Sequence, residues 1–283
     1  MIIRYNSAAN KAINNKKKNT NALEKLSEKL ASGLRINRAA DDAAGLSISQ
    51  KMEAQVRGLN SATDNGSNSI SLIQTAEGAM NSMHSILQRV RELSIQAANG
   101  TLVQSDRENI GDEMSELGHQ LDNIVDNTEF NTKKLFIGVN ETLNFQIGAN
   151  EGQIINLTID KSKLPTSFFL FSGARQYNVA GEPCADLSLQ NNATTILKNT
   201  DKYIGLVSQQ RSNLGAIQNK LEHSISYTQM ASENLTQANS RIGDEDMTSG
   251  MMEYVKTQIL DQATMSLLKQ ANSQPEMVLM LLK

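Results

Sequence analysis

Tryptophan is absent from this 283-residue chain, and aromatic residues make up only 4% of it. Compact enzymes of this length fill their cores with aromatic bulk, whereas helical bundles and coiled coils pack on Ala, Leu, Ile and Met. The single cysteine, Cys184, excludes an intramolecular disulfide. No run is apolar for long enough to read as a membrane-spanning helix. The opening MIIRYNSAANKAINNKKK has no continuous apolar core with a small-residue cleavage site behind it, so no secretory leader is expected. Export would then use a route without a cleaved leader.

Catalytic patterns are missing as well. His84, His119 and His223 stand apart on helical segments, with no H-E-x-x-H and no acidic partner at i, i+4. There is no phosphate-binding glycine loop, no dinucleotide fingerprint in a βαβ setting and no G-x-S-x-G. No enzyme activity, cofactor or metal is expected. Asp41 and Asp42 are adjacent, and sequence neighbours on a helix do not face one site. They read as caps, or as a joint ion pair with Arg38.

What is present is helical periodicity. Met52, Val56, Leu59, Ile70, Ile73, Met80, Met83, Leu87 and Val90 recur at steps of three and four, with one polar gap. They predict a helix from Gly45 to Asn99, roughly 80 Å long, stopped by a left-handed Asn99–Gly100 cap. A helix of that length needs partners along it. Ser105 and Glu108 suggest a capping box for a second helix carrying Ile110, Met114, Leu117, Leu121 and Ile124, folded back antiparallel. Leu143, Phe145, Ile147 and Ile155, Leu157, Ile159 alternate around GANEGQ and predict a β-hairpin. Phe168, Phe169, Phe171 and Tyr177, beside Pro165 and Pro183, read as a satellite core under a loop. From about residue 187, Val207, Leu214, Leu221, Thr228, Leu235 and Ile242 keep a seven-residue repeat, with Ile204 and Ile225 on a second line interrupted by Arg211 and Gln218.

The ends are amphipathic too. Met251, Val255, Ile259, Ala263 and Leu267 form a stripe, and the tail is apolar at Val278, Leu279, Leu281 and Leu282. The first 38 residues carry nine basic against two acidic side chains, a local charge of +7. Such a start fits a solvated or partner-facing helix side, with a nucleic-acid- or membrane-binding module as the competing class. The fold expected is mainly α: a long antiparallel helical bundle or coiled coil, with paired N- and C-terminal helices and a small β-hairpin region. LASGLRINRAADDAAGLSIS, residues 30–49, and SRIGDEDM, residues 240–247, would be the two connectors between the terminal pair and the bundle. Gly33, Asp41, Asp42 and Gly45 would form that inter-domain joint.

LASGLRINRAADDAAGLSIS, LIQTAEGAM, QRVRELSIQAANGT and FQIGANEGQ strongly resemble bacterial flagellin, and the segment from SRIGDEDM to the end resembles its C-terminus. The resemblance covers about residues 1–160 and 187–283. It implies a self-assembling subunit of the flagellar filament, secreted to the extracellular flagellum. Its implied partners are other copies of itself, a flagellar export chaperone and the export apparatus, and hook-associated junction and cap proteins, with no nucleic acid and no membrane insertion. The flagellin-like hook–filament junction protein is the nearest structural alternative. The implied domains are 1–38 and 241–283 as the two halves of an inner coiled coil, 39–165 as the first part of the bundle with its hairpin, 166–186 as a short exposed insert, and 187–240 as the C-terminal bundle helix. QRVREL resembles the flagellin site read by Toll-like receptor 5, which carries over as Gln88, Arg89, Leu93 and Glu113. The apolar residues Val278, Leu279, Leu281 and Leu282 would be an assembly tail.

Overall fold

A computed structural model describes residues 6–136, 141–159, 163–166, 170–171, 175–177, 183–185 and 190–281. The described elements run α1 (Ser7–Ser32), α2 (Ala43–Ala97), α3 (Gln104–Asn127), β1 (Glu129–Phe130), β2 (Lys133–Lys134), β3 (Glu141–Gln146), β4 (Ile154–Ile159), β5 (Arg175–Tyr177), β6 (Pro183–Ala185), α4 (Gln190–Gly243) and α5 (Met247–Leu281). They divide into two compact units, residues 1–56 with 232–283, and residues 57–231.

In the unit of residues 57–231, the core face of α2 keeps a strict heptad: Ile73, Ala76, Met80, Met83, Leu87, Val90, Ser94 and Ala97, all fully buried. Ser94 satisfies its hydroxyl by donating to the Val90 carbonyl at 2.7 Å, so a polar residue sits in the seam without an orphaned group. Helix α4 answers with Val207, Leu214, Leu221 and Thr228 on one line, as its repeat predicts. Its second buried line is Ile196, Tyr203 and Gln210, one residue ahead of the expected Ile204 line. Ile204, Arg211, Gln218 and Ile225 are only half-buried. Ion pairs orient the helices: Arg91 to Asp201 at 2.8 Å and Arg211 to Glu77 at 3.7 Å hold α2 and α4 antiparallel.

Helix α3 folds back on α2 and buries Ile110, Met114, Leu121 and Val125, with Gly111, Ser115 and Gly118 allowing close approach. Its start differs from expectation. Val103 occupies the cap position with no side-chain hydrogen bond, and Gln104 donates to Glu108 at 3.1 Å, so Ser105 and Glu108 form no capping box. The end of α2 differs too. Positive φ among the described glycines is confined to Gly33 and Gly152, so Gly100 is no left-handed cap. The Asn99 amide instead donates to the Gln96 carbonyl at 3.1 Å, a tightened last turn.

The hairpin forms as its alternation predicts: β3 and β4 pair antiparallel from Glu141↔Ile159 to Gln146↔Ile154, and Ile155, Leu157 and Ile159 turn into the core. A smaller hairpin, β1–β2, escapes sequence reading. Its two-residue turn, Asn131–Thr132, has φ of 50° and 65°, the mirror-image turn that Asn-Gly signals, but without the glycine. β5 and β6 pair antiparallel, and β6 lies along α3. Phe171 is fully buried beside Leu164 and Leu170 in the main core rather than in a satellite. Phe168 and Phe169 lie outside the described residues.

In the other unit, α1 and α5 pair antiparallel, as the Asn6 amide donating to the Ala271 carbonyl at 2.8 Å and the Leu34–Asp244 bridge require. The inward positions keep heptad spacing on both helices. They are Ala9, Ala12, Lys16, Asn19, Leu23, Leu26 and Leu30 on α1, and Gly250, Tyr254, Thr257, Asp261, Thr264, Leu268 and Ala271 on α5. The seam is small and polar over much of its length.

Candidate functional site

Three features of the described residues are candidates for the site: the hydrogen-bonded segment from Gly33 to Gly45, the exposed side of α5 and the charged cluster around Arg89.

At the joint, α1 ends on Gly33 at φ 72°, where its amide caps back to the Lys29 carbonyl at 2.8 Å. Only glycine takes that left-handed conformation freely. The two connectors then pair: the Arg35 amide donates to the Gly243 carbonyl at 2.7 Å and the Glu245 amide to the Gly33 carbonyl at 2.9 Å. The Arg35 guanidinium adds bonds to the Ile242 carbonyl at 2.6 and 3.1 Å. Both aspartates act as caps. Asp42 accepts from the Gly45 amide at 2.9 Å and opens α2, while Asp41 accepts from the Arg38 and Asn37 amides at 3.1 and 3.3 Å. Arg38 pairs with Glu28 at 2.9 Å instead of with either aspartate. At Gly45 an added Cβ would lie 2.5 Å from the Asp42 carboxylate and 2.7 Å from Ile36 Cδ1, so glycine lets the cap and the buried Ile36 close on the helix start. Gly33 thus ends α1 and ties to the second connector, while Asp41 and Asp42 cap the turn that leads into α2 at Gly45.

The Arg38 amide, acting chiefly, with Asn37, Lys29 and Lys25, holds the Asp41 carboxyl below its ordinary value. A depressed carboxylate stabilises above the unfolded value and loses that contribution as pH falls through the folded one. The thermal stability of the native protein is therefore expected to exceed that of Asp41→Asn at neutral pH. The difference should shrink below about pH 4; melting curves across that range check it, and a difference independent of pH would contradict it.

The outer face of α5 is apolar and uncovered. Met251, Met252, Val255, Ile259, Leu260 and Leu267 are all exposed, Ile259 at 60%. The middle of the stripe found in the sequence, Val255, Ile259 and Ala263, turns away from α1, while Met251 flanks the seam and Leu267 borders a groove lined by Ala8, Lys11, Ala12 and Asn15 of α1. Helix α5 runs through Leu281, and Leu282 of the apolar tail lies outside the described residues.

Around Arg89, the guanidinium bonds Glu113 at 2.7 and 2.9 Å, and Glu92 at 3.4 Å. The Glu113 hydrogen bond and charge raise Arg89 above its ordinary value. Gln88 contacts His84 at 3.0 Å. The fold thus brings Arg89, Glu92 and Glu113 together on the surface, with Gln88 nearby. Leu93 is not among them. It is 2% exposed, inside the core, because α2 has neighbours on two sides and buries a face wider than a single seam. The exposed apolar residue here is Ile95, at 49%, seven positions from Gln88 and so on its face. The same periodicity that assigned the seam would have marked Ile95 as outward.

Among the described residues no group of three His, Cys, Asp or Glu is placed to hold a metal, and no helix is long and apolar enough to cross a membrane. The described residues form a mainly helical protein whose α5 exposes a row of apolar side chains. The bacterial flagellin N-terminal helical region matches residues 3–141, and the bacterial flagellin C-terminal helical region matches residues 197–282. Flagellin of Halalkalibacterium halodurans is 47% identical over 283 residues, covering 100% of both chains, and flagellin of Bacillus subtilis is 45% identical over 306 residues, again covering 100% of both. A putative flagellar hook-associated protein from Vibrio parahaemolyticus shares the fold alone, at TM-score 0.53 and 13% identity over 72% of this chain and 100% of that one. The chain belongs to the bacterial flagellin family. It is a structural subunit of the extracellular flagellar filament and not an enzyme.

Proposed function

We propose that this subunit assembles through the outer face of α5, with the α1–α5 pair forming the inner wall around the filament lumen and the unit of residues 57–231 the outer wall. The observation that carries this reading is the inversion in α5: its most apolar side faces away from its own partner helix. A soluble monomer that leaves Met251, Val255, Ile259 and Leu267 uncovered has a surface suited to burial against other subunits. The sequence of the tail, with Val278, Leu279, Leu281 and Leu282, extends that surface. Seeded elongation tests it: purified protein should lengthen sheared fragments of its own filaments, and failure to do so would refute the reading. An export chaperone, the export apparatus, and junction and cap proteins are proposed as partners before and during assembly.

The second surface is proposed as the Toll-like receptor 5 epitope, with Gln88, Arg89 and Glu113 as contacts and Leu93 supporting them from the core. An exposed arginine with an ordered carboxylate partner fits an interface anchor. Arg89→Ala is expected to weaken receptor binding by about 1–3 kcal/mol. The bundle should stay folded, because an exposed ion pair contributes at most about 1 kcal/mol. Titration of the receptor ectodomain with native and variant monomer reads this directly, and equal affinities would remove Arg89 from the epitope.

A further inference from the structure

Methionine is distributed unevenly in this chain. Met80, Met83 and Met114 are fully buried in the bundle core. Six described methionines are exposed, between 38% and 65%, and five of those six, Met247, Met251, Met252, Met265 and Met277, stand on α5. On α5, Met252 and Met277 lie on the side opposite the seam positions Tyr254, Asp261 and Leu268, and Met251 flanks the seam at 49% exposure. Leucine or isoleucine would bury as much apolar area there, as Val255, Ile259 and Leu267 already do. Methionine differs in one chemical respect: its thioether is a two-electron reductant whose product is polar.

We infer that Met251, Met252 and Met277 form an oxidation site for peroxide-class oxidants, and that converting them to sulfoxides disables α5 for assembly. This rests on the proposed role of the α5 outer face. In the reaction a sulfur lone pair attacks one peroxide oxygen and the O–O bond breaks. A sulfur–oxygen bond forms, and the second oxygen leaves as water after taking up a proton. Sulfur loses two electrons, the peroxide gains them, and one peroxide gives one sulfoxide and one water. The new dipole sits on a face whose value for association lies in shedding water, so every copy that joins a filament must bury it or leave a gap. The bundle methionines are shielded by packing, so the fold of that unit survives the same exposure. Monomers are open to the reaction, and subunits already in a filament are protected by the neighbours that cover α5.

The test treats monomer with limiting hydrogen peroxide, maps each methionine by peptide mass spectrometry, and measures the critical concentration for seeded elongation before and after. The exposed methionines, Met230 and those of α5 with Met251, Met252 and Met277 among them, should convert while Met80, Met83 and Met114 stay reduced. The critical concentration should rise at least about tenfold, and methionine sulfoxide reductases of both stereochemical classes should restore it. A protein carrying Met251→Leu, Met252→Leu and Met277→Leu, compared only with its own unoxidised form, should show a ratio near one. Three results would overturn the inference: conversion of the core methionines as fast as those of α5, an unchanged critical concentration after full α5 conversion, or a loss of elongation that the reductases do not reverse. Untreated protein that fails to elongate seeds would instead defeat the assembly reading, and the mass map would still decide the oxidation site.

Discussion

Ile259→Asp should leave the monomer folded and raise the concentration needed for filament growth by at least about a hundredfold. The isoleucine is 60% exposed and makes no part of the α1–α5 seam, so the monomer loses nothing it was using. Covering an isoleucine is worth roughly 1.5–3 kcal/mol. Burying an unpaired carboxylate in its place costs more again. Their sum exceeds the roughly 2.8 kcal/mol that a hundredfold change requires. Removing residues 278–283 should act in the same direction, because it deletes five apolar residues, Val278 to Leu282, of the proposed assembly tail. Sedimentation of seeded reactions over a concentration series, with circular dichroism of the monomer, checks both variants. Growth at the native critical concentration would mean that this face is not the contact.

Leu87→Ala should lower the stability of the bundle by about 2–5 kcal/mol. Leu87 is fully buried in the middle of the α2 seam, flanked along the helix by Met83 and Val90, with α3 on one side and α4 on the other. Long helices that are ion-paired on both sides have little freedom to close a cavity. Against a typical total of about 5–15 kcal/mol this is a large share. A drop in the urea midpoint with an unchanged slope is the expected signature. Leu267→Ala, at a side chain 57% exposed on α5, should leave the monomer midpoint nearly in place. Equal losses from the two variants would contradict the division between a packed bundle and an open helix face.

The contrast between Leu87 and Leu267 also marks what could be read from the sequence. The repeat Val207–Leu214–Leu221–Thr228 was legible because four residues at constant phase admit one helical face. The β3–β4 hairpin was legible because its alternation is incompatible with a helix. The second line of α4 slipped by one residue, since Ile204 reads as core while Tyr203 and Gln210 do not; packing, rather than hydropathy, selected them. The Ser105 cap and the Gly100 stop failed because local residue preference lost to the geometry of the α2–α3 connection. Leu93 entered the epitope through the resemblance of QRVREL, and a matching motif says nothing of burial; a helix with two neighbours buries a face wide enough to include it. In α5 the stripe itself was visible, and its direction was not. Hydropathy cannot tell whether the partner of an apolar face belongs to the same chain or to another copy. In residues 30–49 the glycines and adjacent aspartates signalled tight turns and caps, and locally Gly33 ends α1 in the left-handed region while Asp42 caps the start of α2.

Amide hydrogen exchange of α5 in monomer and in filament tests the central claim most directly. The α1–α5 seam is small and polar, with Lys16, Asn19, Asp261 and Thr264 at inward positions, so both helices should exchange readily in the monomer while the buried amides of α2 and α4 stay protected. On assembly, residues 247–277 are expected to slow by at least about a hundredfold, in step with the burial free energy assigned to Ile259. Exchange from α5 at the same rate in filament and monomer would contradict the account, because the apolar face would then be uncovered in the assembled state.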